Sequence, residues 1–142
     1  MEGKHLRAGF TLIELMLVVM IIGTLAALVI PNLAGRAEKA RITAAKSDIE
    51  SNIPTALDLY ELDNGAYPTT QQGLAALREK PTTPPLPKNW NGPYLKKKYL
   101  DPWGNVYQYV FPGVHNKDGF DLYSFGKDGV EGGGDDVANW EN

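Results

Sequence analysis

The stretch "GFTLIELMLVVMIIGTLAALVIP", residues Gly9 to Pro31, decides how this 142-residue chain is built. From Phe10 to Ile30 it holds one formal charge, Glu14, near its beginning. Coiled as a helix, the run covers roughly 31 Å, about the hydrocarbon thickness of a bilayer. The flank "MEGKHLRAG" before it is short and polar, and Lys4 and Arg7 make it basic. Basic flanks stay on the cytoplasmic side, so the remainder of the chain is expected to be translocated. Glu14 is then the anomaly. A carboxylate at membrane depth is costly and is by default a functional residue.

An ordinary secretory signal has a shorter apolar region followed by a small-residue cleavage site. Here the small residue precedes the run and adjoins a phenylalanine, so a cut between Gly9 and Phe10 would remove Lys4 and Arg7 and keep the span. The series G-F-T-L-I-E, followed by an apolar run and Pro31, resembles the class III signal of type IV pilins and pseudopilins. That resemblance implies cleavage by a prepilin peptidase after Gly9 and N-methylation of Phe10. It also implies that Glu14 helps subunits register during assembly. Electrostatics points the same way: cleavage creates a positive amine on Phe10, four residues before Glu14. A buried carboxylate needs such a partner, because breaking a buried pair costs about 3–5 kcal/mol. The amine of a neighbouring subunit and the amine of the same helix both remain open as that partner.

Beyond Pro31, helical periodicity resumes. Ile42, Ala45, Ile49, Ile53, Ala56 and Tyr60 recur at steps of three and four and form one apolar face. Charged residues such as Glu38, Arg41, Lys46, Glu50 and Asp58 fill the remainder, and Asn64-Gly65 supplies a stop. The pattern predicts one long helix, apolar all round and then amphipathic. Pro54 is its oddity, since an interior proline costs about 3 kcal/mol or more. The expected organisation is a leader over 1–9, a transmembrane and assembly helix over 10–30, its amphipathic continuation over 31–65, and a globular region over 66–142.

The globular region is rich in glycine and proline. Thr69 with Gln72 reads as a capping box opening a short helix that Pro81 ends. "DPWGN" reads as a turn into the alternating "VYQYVF", and "FDLYSF" is a second strand candidate. Lys96-Lys97-Lys98 reads as a solvated face. Helix first and antiparallel strands afterwards predict an α+β domain, a long helix packed on a small sheet.

Near the C-terminus, "GKDGVEGGGDDV" brings Asp128, Asp135 and Asp136 into one short loop. Calcium takes six to eight oxygens from carboxylates, carbonyls and water. Main-chain oxygens of Phe125 and Gly133 are candidates to complete such a shell. The spacing is not that of an EF-hand, and the pattern alone leaves a solvated acidic loop equally open.

Taken with "LDNGAYPTTQQGLAAL" and "DPWGN", the ending "SFGKDGVEGGGDDVANW" resembles the major pseudopilin of type II secretion systems, the G family. Type IVa major pilins share the leader and helix but usually carry a C-terminal cysteine pair, and this chain has no cysteine. The resemblance implies a pilin-like fold and calcium held by aspartates matching Asp128, Asp135 and Asp136. It also implies a structural subunit that polymerises through its N-terminal helix into a short periplasmic fibre driving export of folded proteins. Implied partners are copies of the same chain, minor pseudopilins, the prepilin peptidase and the inner-membrane assembly platform. The implied location is a bacterial inner membrane, crossed once, with the C-terminal region in the periplasm.

Other function classes find little footing. A net charge of −3 argues against nucleic acid as main partner. The two histidines are His5, in the leader, and His115 in a turn, and neither a thiol nor a phosphate-cradling glycine loop is present. The grouping of Ser124, Asp121 and His115 reads as chance, so no catalytic residue is assigned. Two rivals stay in view: a type IV pilus major pilin, and a monomeric membrane-anchored calcium-binding protein.

Overall fold

The computed structural model describes residues 9–96, 98 and 100–140, with backbone alone at 31 and 32. The expected leader, apart from Gly9, and Lys97 of the lysine run lie outside the described residues. The chain divides into two compact units, Met1–Glu38 and Lys39–Asn142.

Helix α1 runs over Leu12–Ser47. In the first unit it is apolar on all sides: Ile13, Met20 and Leu28 expose 75%, 72% and 71% of their surface. Water alone would not tolerate such a helix, and it is long and apolar enough to cross a membrane. In this apolar part the Thr24 hydroxyl donates to the Met20 carbonyl at 2.6 Å and so presents no unpaired polar group to hydrocarbon.

In the second unit the expected apolar face is the core. Ala45, Ile49, Ile53, Ala56 and Tyr60 are buried, with Ile42 packed at their edge. The helix differs from the sequence expectation in one respect. A π-helical turn, Asp48–Asn52, separates α1 from α2, Ile53–Asn64. The Ile53 amide reaches back to the Asp48 carbonyl, one residue further than in an α-helix. That wider turn explains Pro54. The ring would otherwise press on the carbonyl four residues before it; instead Pro54 stands in the first turn of α2, where a missing amide proton costs little. Gly65 ends α2 as its sequence predicts: at φ 83° it donates its N–H to the Glu61 carbonyl.

The capping box is formed reciprocally, Gln72 N–H to Thr69 Oγ1 at 3.2 Å and Thr69 N–H to Gln72 Oε1 at 3.1 Å. It opens a 3₁₀ turn, Gly73–Leu77, rather than an α-helix. Gln72 also donates to the carbonyls of Thr83 and Pro85, which pins the proline-rich connection. The sheet is antiparallel in the order β1-β2-β3, with β1 Gln108–Val110, β2 Asp121–Ser124 and β3 Val137–Ala138. Tyr109 faces Leu122 across the first pair and Ser124 faces Val137 across the second. Leu57, Leu77, Leu122 and the helix face close one core. A long helix on a small antiparallel sheet is the expected α+β, pilin-like architecture.

Candidate functional site

The N-terminal site is built around Glu14. Gly9 and Phe10 precede the helix, and Phe10 is 91% exposed, so the Gly9–Phe10 bond lies in accessible, non-helical chain. Thr11 caps the helix: its Oγ1 accepts from the Glu14 N–H at 3.2 Å. In return Glu14 Oε2 accepts from the Thr11 N–H at 2.8 Å and the Thr11 hydroxyl at 2.9 Å. This capping box uses Glu14 to satisfy an orphan amide, and it sets a carboxylate at the positive end of the helix dipole. Thr11 is the residue that sequence reasoning missed, although T-L-I-E carries the box's own spacing. With the leader attached, Phe10 has no free amine, and Glu14 is held by Thr11.

The C-terminal site is the loop between β2 and β3. Asp135 Oδ2 accepts from the Asp128 N–H at 3.0 Å, Asp128 Oδ1 from the Val130 N–H at 2.9 Å, and Asp136 Oδ2 from the Gly132 N–H at 2.8 Å. The second oxygens are arranged differently. A Cβ on Gly133 would lie 2.7 Å from Asp128 Oδ2 and 3.3 Å from Asp135 Oδ1, so both point toward one spot that only glycine leaves open. Gly133 also sits at φ 85°, which side chains rarely adopt. Asp136 Oδ1 is buried without any hydrogen-bond partner. A buried carboxylate oxygen without a donor is costly and calls for a cation or water. As they lie, no three acidic or histidine side chains among the described residues stand close enough to form a finished metal cage. The structure thus brings Asp128 and Asp135 together and leaves Asp136 beside them with a free oxygen. The Phe125 backbone runs into Gly126, whose Cβ position is blocked by the main chain of Asp135, so Phe125 passes the same loop.

Of Ser124, His115 and Asp121, the structure pairs the last two and turns Ser124 away to Asp101. Ser124 is fully buried and donates to Asp101 Oδ2, tying β2 to the "DPWGN" turn, where Asp101 Oδ1 accepts the amides of Trp103 and Asn105. Asp121 turns the other way. It accepts the N–H groups of Val114, His115 and Asn116, at 2.7–2.9 Å, and meets His115 Nδ1 at 3.1 Å. Burial pushes the Asp121 carboxyl up, but those donors outweigh it and hold it below the ordinary carboxylate range. His115 stacks flat on Trp140 at 4.0 Å and so ties that loop to the chain's end. These carboxylates organise turns. Lys96 and Lys98 are exposed, as a solvated face requires.

Comparison with known proteins gives concordant matches. The family described as "Type II secretion system (T2SS), protein G" matches residues 32–140, and the "Prokaryotic N-terminal methylation motif" matches residues 4–30. Type II secretion system core protein G of Pseudomonas aeruginosa is 59% identical, over 98% of this chain and 99% of its own length. The protein of that name from Escherichia coli K12 is 51% identical, over 99% and 95%. The crystal structure of the major pseudopilin of enterohaemorrhagic Escherichia coli superposes with a TM-score of 0.67 at 43% identity. It covers 78% of this chain and 95% of its own. The capped apolar helix, the α+β region and these matches agree, and the chain belongs to the type II secretion protein G family, the pseudopilins that build the pseudopilus of that system.

Proposed function

We propose that the chain is made as a membrane-anchored precursor, cut between Gly9 and Phe10 by the prepilin peptidase, N-methylated on Phe10 and polymerised through its N-terminal helix. The observation that carries this reading is the accessible Gly9–Phe10 bond set two residues before a capped, all-round apolar helix. Before the cut, Thr11 satisfies Glu14. After it, a positive amine stands one residue from the capping box and competes for the same carboxylate. As helices pack and water leaves, that charge becomes the stronger partner. The basic flank sets the orientation, with the leader in the cytoplasm, a single crossing of the inner membrane and the globular unit in the periplasm. Minor pseudopilins and the inner-membrane assembly platform are the further partners of the fibre, and the subunit's part is structural rather than catalytic.

Calcium is the cofactor of this reading. Asp128 Oδ2 and Asp135 Oδ1 supply two hard oxygens facing one point, and a rotation of Asp136 brings in its unmatched Oδ1. The carbonyls of Phe125 and Gly133 complete the protein's share. When bound, the ion supplies the positive charge that lets three carboxylates share one loop.

Electron microscopy of cells that overproduce the chain beside an intact type II secretion system tests the assembly. Short fibres are expected from the native chain. Gly9→Val should leave the precursor uncut, as read by mass spectrometry, and abolish them. Fibres assembled from an uncut chain would overturn the reading.

A further inference from the structure

Between the 3₁₀ turn and β1 lies a cavity of about 310 Å³ that neither candidate site uses. Its walls are apolar, from Leu74, Leu95 and the rings of Tyr107 and Tyr109, and Arg78 and Lys98 stand on its lining. No carboxylate lines it among the described residues. The neutral polar groups around it are spent inside the molecule. Tyr109 donates to the Pro68 carbonyl, Tyr107 to Asp48, Thr70 to the Phe111 carbonyl, and Gln72 to the proline-rich connection. What remains to an occupant is apolar contact and two cations. In a chain with 17 acidic against 14 basic residues, that is a local inversion of charge.

The same molecule exposes the complementary feature. At the apex of the acidic loop, Val130 is 64% exposed and is followed by exposed Glu131. The candidate calcium site claims neither side chain; Lys127 of the same loop is exposed as well, and Glu131 meets the Tyr123 hydroxyl within its own chain. With the aspartates of the loop committed to the candidate calcium site, the apex offers a short apolar body in Val130 and one carboxylate in Glu131.

We propose that the cavity receives the loop apex of a second copy of this chain, with Val130 against Leu74 and Tyr107 and Glu131 paired with Arg78 and Lys98. The idea rests on the polymer reading and adds a contact between globular regions to the packing of the helices. It would give the fibre a salt-sensitive lock on register, because complementary charge suppresses wrong pairings more than it adds affinity.

Because the chain has no cysteine, an Ala75→Cys, Val130→Cys variant of the full chain reads this contact directly. Ala75 is exposed on the cavity lining. Oxidation in membranes and in fibres is expected to give disulfide-linked dimers and higher multimers, at least tenfold above either single variant. Adding Glu131→Lys should cut the yield about tenfold, and adding Arg78→Glu as well should restore it. A bridge confined to monomers, a yield indifferent to Glu131→Lys, or no recovery on the charge swap each overturns the proposal. Membranes from a Glu14→Ala background separate the two readings: loss of fibres there concerns helix assembly, whereas cross-linked dimers are still expected from the loop contact.

Discussion

On the proposed reading Glu14 serves two states, before and after cleavage. In the described chain it completes a capping box with Thr11, which helps to start the helix. Glutamine fills that position in a capping box as well as glutamate does. Glu14→Gln therefore keeps the helix start and removes only the charge. Fibre yield, counted by electron microscopy, should fall at least tenfold with Glu14→Gln, as with Glu14→Ala. If Glu14→Gln assembled like the native chain, the residue would be a cap and nothing more. Asp121 works differently, since it is buried and its partners are chiefly backbone amides. Its folded-state pKa is depressed, so its contribution is present above the unfolded carboxylate value, about 3.9, and is lost as pH falls through the folded value. Asp121→Asn should cost about 1–3 kcal/mol at pH 7, and the gap from the native chain should close below about pH 4. Thermal melts of the full chain in detergent across that range check both statements. The sequence pointed to Glu14 through its cost in an apolar run, but gave no warning of Asp121. An aspartate that gathers turn amides has no spacing signature of its own.

At the scale of elements, the amphipathic face was legible because its period is set by burial. Ile42 through Tyr60 lie where the steps of three and four put them. The π-turn was not legible. It adds a residue to one turn without moving the apolar face off the core, and the only trace it leaves is a proline in an improbable place. Tyr107 anchors it, donating to Asp48 Oδ2 at 2.9 Å, so the widened turn is tied to the residues before β1. Pro54 then has a definite expected effect. In an α-helical interior its removal would gain about 3 kcal/mol, but in the first turn of α2 it costs little and restricts the unfolded chain. Pro54→Ala should therefore lower stability by up to about 1 kcal/mol in denaturant titrations. A gain near 3 kcal/mol would mean that the π-turn does not relieve the proline. The short helix after Thr69 and Gln72 was legible from its capping box but its 3₁₀ form was not, and β3 escaped sequence reading because two residues are too few for a period to show.

On the scale of the whole molecule, the chain joins a helix that is apolar on all sides and long enough to cross a membrane to a globular unit with a modest core. That unit has no disulfide. Its last stretch, from β2 through the acidic loop to Trp140, is held by a two-residue strand, by the hydrogen bonds of Asn139 to Leu122, Phe120 and Asn116, and by the stack of His115 on Trp140. The aspartates of the loop could be seen in the sequence, but the orphaned Asp136 oxygen and the convergence on Gly133 could not, because both depend on how five glycines of positive φ turn the backbone. On the proposed reading calcium binds the folded state alone, so its removal lowers stability by mass action. With free calcium at about ten times its dissociation constant, the linkage is about 1.4 kcal/mol, so a chelator should lower the melting temperature of the full chain by several degrees. The paired variant Asp128→Asn, Asp135→Asn should melt lower in calcium and be indifferent to chelator. Magnesium should not replace calcium, because a flexible glycine loop cannot impose the tight octahedral shell that magnesium demands. A native chain whose melting is the same with and without chelator would show that the loop closes without a cation, leaving Asp136 to be satisfied by water.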